Sequence, residues 1–154
     1  MAKYAWLQET LLCPKCGTAV TDVVWFTWGG VLSSNINVGP IYVRGDRLLW
    51  FADATRNVHP NSDIPMSRGA NIGDPSMTHV DVYEPDAVPR RCPGCDLRIH
   101  GSKVQIRDGV IRGAEVILHE LPDDLLAIAF DPATGEESEH VSSFAPLGVM
   151  PWPS

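Results

Sequence analysis

Cys13-Pro14-Lys15-Cys16-Gly17 and Cys92-Pro93-Gly94-Cys95-Asp96 contain all four cysteines of the chain. Two cysteines separated by two residues can place both sulfurs on one ion when the backbone turns sharply between them. A proline after the first cysteine presets φ and removes one backbone donor, which leaves the later amides free to point at the thiolates. Gly17 suits the left-handed residue that commonly closes such a turn, and Asp96 is among the better non-glycine choices. Two turns together supply four thiolates, the tetrahedral set of a structural zinc site. The expected ligands of one Zn2+ are therefore Cys13, Cys16, Cys92 and Cys95. Disulfides suit oxidising compartments, and a redox Cys-X-X-Cys needs only one pair, usually in a βαβ setting. Catalytic zinc keeps an open position, and four cysteines close the site. No catalytic residue is assigned.

The elements that must position these sulfurs read as strands, and the expected fold class is mainly β. Residues 4–12 (YAWLQETLL) are apolar and partly alternating, and 18–28 (TAVTDVVWFTW) are rich in β-branched and aromatic side chains. Both faces of Val23 to Trp28 are apolar, which predicts a central strand or one facing a partner. Residues 41–51 predict a hairpin turning at Gly45-Asp46. Residues 53–79 hold Pro60, Pro65, Pro75, Gly69 and Gly73 and read as a long loop, a feature that is often functional. Alternation returns at 78–88. Asp108-Gly109 between VQIR and VIRG is a strong two-residue hairpin signal. LLAIAF (125–130) reads as a strand, with a short helix over 123–130 as the weaker alternative, and 131–136 as a turn. The proline-rich ending, FAPLGVMPWPS, reads as an extended arm. At 154 residues the chain is expected to form one domain.

Cys13, Pro14, Cys16 and Gly17, with Cys92, Pro93 and Cys95, resemble the paired knuckles of zinc-ribbon and rubredoxin-like proteins. The resemblance covers the knuckles and their adjacent strands. It implies two cysteine knuckles at hairpin tips sharing one metal. The ribbon core would span 4–28 and 80–118, with an inserted β-hairpin and loop region at 29–79. An acidic C-terminal β extension would follow at 119–154. Iron is the minor alternative to zinc and would make the chain a rubredoxin-like electron carrier.

Other chemistry is sparse. None of the five histidines makes a metal-spaced pair with another. His59, Asp63 and His79 lie in or beside the 53–79 loop and form a candidate second site, the basis of an enzyme reading. No Gly-X-Ser-X-Gly elbow and no phosphate-binding glycine loop is present. Trp28, where a strand ends before Gly29-Gly30, is the aromatic expected to be partly exposed as an interaction anchor.

The formal net charge of −7 argues against general nucleic-acid binding. Residues 90–112 nevertheless carry Arg90, Arg91, Arg98, Lys103, Arg107 and Arg112. A nucleic-acid-binding ribbon would need Arg90, Arg91, Arg98, Lys103 and Arg107 on one face. Beyond Arg112 there is no Lys or Arg, and Asp123, Asp124, Glu136, Glu137 and Glu139 offer an acidic surface for a basic protein partner. The leading expectation is protein–protein interaction, as an adaptor, inhibitor or immunity-type protein. No apolar run approaches the roughly 20 residues that span a bilayer, and the amino terminus does not read as a signal peptide. A cytoplasmic location is the default expectation, with no membrane partner.

Overall fold

The computed structural model describes residues 5–28, 41–48, 71–72, 77–85, 88, 90–142 and 149–150. It is mainly β, and the described residues contain no helix. Strands β1 (Ala5–Leu12) and β2 (Ala19–Phe26) form an antiparallel hairpin, and β3 (Ile41–Tyr42) lies parallel against the other side of β1. A second sheet holds β5 (Val80–Pro85), β6 (Gly101–Arg107), β7 (Val110–Ile117), β8 (Leu125–Phe130) and β9 (Glu137–Ser142), in the order β7-β6-β5-β8-β9 and antiparallel throughout. A two-stranded ribbon pairs β4 (Asn71–Ile72), from the predicted loop, with β10 (Val149–Met150), from the predicted arm.

Alternation explains which faces meet. Ala5, Leu7 and Leu11 of β1 and Val20, Val24 and Phe26 of β2 are buried. They join Val80, Val82, Val104, Ile106 and Ile111 of the larger sheet in one apolar cluster. Fully burying a side chain of this size contributes about 1.5–3 kcal/mol, so the contact between sheets is a large stabilising contribution. Among the described residues β2 pairs with β1 alone and lies at the edge of its sheet, where its two apolar faces predict a central strand or one facing a partner. Its parity sends Trp25 outward, 47% exposed, opposite Trp6 on β1.

The predicted hairpin at 41–51 does not form over its described part. The chain does turn at Arg44-Gly45, where the Val43 amide donates to the Asp46 carboxylate at 2.9 Å. Its two arms then bond different partners. β3 joins β1, while the Gly45 and Leu48 amides donate to Ile111 and Gly109, and Arg47 bridges Val110. The segment thus stitches the two sheets together at one side. Glu9 reinforces the seam from β1, accepting from the Ala114 amide of β7 and pairing with Arg44, both at 2.7 Å. The β6–β7 turn is as expected: Asp108 and Gly109 both adopt positive φ (54° and 71°), which closes a two-residue hairpin.

The far face of the larger sheet carries Tyr83, Ile117 and Ile128, packed by Leu121 from the β7–β8 connection and by Leu125 and Phe130 of β8. Beside them lies an ionic network. Asp81, only 5% exposed, accepts from Arg107 at 2.9 Å and lies 3.7 Å from Lys103, which also pairs with Glu115 at 2.9 Å. Burial pulls the Lys103 ammonium down, but its bond to Glu115 and the charges of Glu115 and Asp81 hold it above its ordinary 10.5. That contribution to stability is complete below pH 10.5 and is lost as pH rises through the elevated folded value.

Candidate metal centre

The two knuckles are near copies in backbone. The Cys13 amide donates to the Thr18 carbonyl and the Gly17 amide to the Cys13 carbonyl, at 2.9 and 2.8 Å. In the second knuckle the Cys92 amide donates to Leu97 and the Asp96 amide to Cys92, both at 2.9 Å. Gly17 (φ 75°) and Asp96 (φ 61°) both take the left-handed conformation that ends the turn. The first knuckle is the tip of the β1–β2 hairpin. The second sits on a short ladder formed by the Arg91–Arg98 bridge within the β5–β6 connection.

The four sulfurs converge, all within 4.8 Å of one another. Cys13 Sγ lies 3.8 Å from Cys95 Sγ, and Cys16 Sγ lies 3.4 Å from Cys92 Sγ. A tetrahedral ion with bonds of about 2.3 Å to sulfur requires sulfur–sulfur edges of about 3.8 Å. Spacing and donor chemistry therefore both fit a single metal ion. Asp96 reaches the same left-handed conformation as Gly17, so the second turn forms with aspartate in place of glycine.

Backbone amides surround the sulfurs in the same pattern twice. Cys13 is lowered from its ordinary value by the Cys16 and Lys15 amides, and the Gly94 amide donates to Cys92 Sγ at 3.3 Å. The Thr18 hydroxyl and then the Thr18 amide hold Cys16 down to about 6. At Cys95 the Leu97 amide pulls down, but burial and the neighbouring sulfurs outweigh it and push the thiol up to about 12. Four adjacent thiolates repel one another, so without a cation the set keeps some of its protons. A dication must displace the remaining protons, so metal affinity falls as pH falls. Calorimetry in buffers of differing ionisation enthalpy should show proton release on zinc binding that grows as pH is lowered from 9 toward 6.

Gly94 is set by close approach. A Cβ there would lie 2.1 Å from Thr18 Oγ1 and 3.1 Å from Cys16 Sγ. The equivalent residue of the first knuckle, Lys15, is exposed. Gly94→Ala should therefore cost about 1–3 kcal/mol by overpacking, measured as a roughly tenfold or greater loss of zinc affinity. Lys15→Ala should leave affinity unchanged.

The remaining sequence candidates are placed as follows. His59 and Asp63 lie outside the described residues. His79 Nε2 stands 3.5 Å from Asp108 Oδ1 and Nδ1 stands 3.1 Å from Thr78 Oγ1. With Phe130, Asp131, Ser138 and Glu139, His79 lines a cleft of about 330 Å3. Trp28 is not the exposed anchor expected of it. At 1% exposure it is buried with Phe26 and Tyr42, because the chain leaving β2 continues into the core. The exposed indole is Trp25, a placement that strand parity would have indicated once Val24 and Phe26 were assigned inward. Asp123, Asp124, Glu136, Glu137 and Glu139 are all exposed.

Three residues of the basic stretch have partners within the chain. Lys103 and Arg107 point from β6 into the Asp81 network, and Arg107 stacks 4.7 Å from the Phe130 ring centre. Arg91 turns to Asp96, donating to its carbonyl at 3.2 Å. Asp81 lies in no motif, and Gly94 lies in the second knuckle at a position the spacing rule leaves open. Among the described residues no helix is long and apolar enough to cross a membrane. Comparison with protein-family models, with curated proteins and with solved structures finds no match to this chain.

Proposed function

We propose that this chain is a zinc-ribbon protein whose single Zn2+ is structural, and that it acts by binding a basic protein partner as an adaptor, inhibitor or immunity-type protein. The zinc assignment rests on a closed set of four thiols at tetrahedral spacing, which leaves no position for a substrate. An electron-carrying iron centre would share that geometry and is separated from zinc by metal analysis and colour.

The interaction reading is carried by one observation: residues 131–140, from the β8–β9 turn into β9, are exposed throughout and carry Asp131, Glu136, Glu137 and Glu139 with no Lys or Arg. Among the described residues, no strand pairs with the outer side of β9. An edge strand offers its backbone groups to an extended segment, and alternate side chains select the sequence of that segment. Here the side chains select for positive charge. The internal pairing of Lys103 and Arg107 disfavours the nucleic-acid alternative. Among the described residues, the cleft lined by His79 is what supports the enzyme alternative.

The test uses an extended arginine-rich peptide and fluorescence anisotropy at two salt concentrations. Glu137→Lys/Glu139→Lys should weaken binding at least tenfold, while Asp123→Lys/Asp124→Lys, an equal charge change on another exposed segment, should leave it within twofold. Equal losses in both variants, or no binding by the unsubstituted chain, would overturn the proposal.

A further inference from the structure

We infer that Cys16 and Cys92 are a site of oxidative modification, joining as a disulfide between the two knuckles when the centre meets a hydroperoxide, with Cys13 and Cys95 joining after them. The inference rests on the four-thiolate metal reading but concerns what the same sulfurs do when the metal is lost.

Two sulfur–sulfur approaches across the knuckles are within 4 Å: 3.4 Å for Cys16 and Cys92, and 3.8 Å for Cys13 and Cys95. A disulfide bond is about 2.05 Å long, so the first pair needs a further approach of about 1.4 Å. Exposure orders the events. Cys16 is exposed, Cys95 is half-buried, and Cys13 and Cys92 are buried. The oxidant therefore meets Cys16 first, and its nearby partner across the knuckles is Cys92.

The chemistry proceeds in two balanced steps. The Cys16 thiolate attacks one peroxide oxygen, the O–O bond breaks, and the departing alkoxide takes a proton and leaves as an alcohol (water, if the oxidant is hydrogen peroxide). Cys16 is left as a sulfenic acid. The Cys92 thiolate then attacks the Cys16 sulfur, the S–S bond forms, the S–O bond breaks, and hydroxide takes a proton to leave as water. Two thiolates lose two electrons in total, and one hydroperoxide is reduced. A second equivalent does the same for Cys13 and Cys95.

Pairing across the knuckles has a consequence that pairing within them would lack. The ion loses its ligands and is released, yet the β1–β2 tip stays fastened to residues 92–97 by covalent bonds. Oxidation would exchange a charged metal centre for a neutral staple without releasing the clamp.

The experiment treats the zinc-loaded, reduced protein with one and then two equivalents of hydrogen peroxide. Metal release is followed with a chromophoric indicator, and tryptic peptides are mapped by mass spectrometry. Lys15 lies between Cys13 and Cys16, so trypsin separates these two sulfurs, while Arg91 and Arg98 bracket Cys92 and Cys95. The expected result is a Cys16–Cys92 linkage at one equivalent, both cross-linkages at two, and metal release in step. The doubly oxidised protein should melt at least 10 °C above the reduced, metal-free protein. Bridges within a knuckle, Cys13 to Cys16 or Cys92 to Cys95, would overturn the inference, as would sulfinic acid on Cys16 with Cys92 unmodified. Metal content measured before peroxide separates the two ideas. A reduced protein that binds no zinc removes the metal reading itself, whereas a zinc-bearing protein with bridges inside its knuckles removes only this inference.

Discussion

Stripping the metal with excess chelator, or replacing Cys92 by serine, is expected to lower the melting temperature by at least 15 °C. The sulfurs join two segments that are far apart in sequence, with 75 residues (17 to 91) between Cys16 and Cys92. Each knuckle closes its own turn with backbone hydrogen bonds, so those turns do not require metal. What a bound metal would supply is the link between them. Zinc binding to four-thiolate sites is worth on the order of 10 kcal/mol at neutral pH, and much of it is expressed as folding. In a chain of this size each kcal/mol moves the midpoint by about 2–4 °C. Cys92 is the most informative of the four. It is buried, so serine there loses a ligand and leaves a shorter, harder hydroxyl facing the neighbouring sulfur and the Gly94 amide. Cys16→Ser, at an exposed position, should cost less. The check is a thermal melt by circular dichroism with zinc content assayed on the same sample. An unchanged melt in protein shown to be free of zinc would contradict the structural role.

Asp81→Ala is the second large effect, expected to cost about 2–4 kcal/mol and roughly 5–12 °C. Asp81 is the carboxylate that Arg107 contacts, and it also faces Lys103. Removing it leaves the Arg107 guanidinium with the Val80 and Ile106 carbonyls and the Phe130 ring, in a partly buried position. Lys103 retains Glu115 and should be less affected. Most of the cost is the uncompensated Arg107 charge, so the double variant Asp81→Val/Arg107→Met should recover more than half of the loss. Urea denaturation of both variants measures this. A double variant no more stable than Asp81→Ala would show that the network contributes through packing and not through charge.

Much of this was legible in the sequence because it depended on local rules. The knuckles were specified by proline, glycine and cysteine spacing. The β6–β7 turn was specified by Asp108-Gly109, and the β8 strand by LLAIAF. What could not be read were pairings over long distances. Gly45-Asp46 marks the turn to within one residue of Arg44-Gly45, but only the assembled fold shows its arms bonding to β1 and to residues of β7. The apolar faces of Val23–Trp28 indicate burial without saying that Trp25 points out while Trp28 points in. Charge runs were misleading for a related reason. Lys103 and Arg107 look like part of a basic stretch, and their partner Asp81 lies more than twenty residues away. Gly94 reads as an ordinary turn glycine until Thr18 is seen against it.

The central claim, that the four cysteines jointly hold one structural zinc ion, is tested most directly by elemental analysis of the full chain purified under reducing conditions in the presence of zinc. One zinc per chain is expected, falling below a tenth of that in the Cys92→Ser variant, with no visible absorption band in either. A reduced chain with four free thiols and no bound zinc, or a coloured chain with one iron, would contradict it.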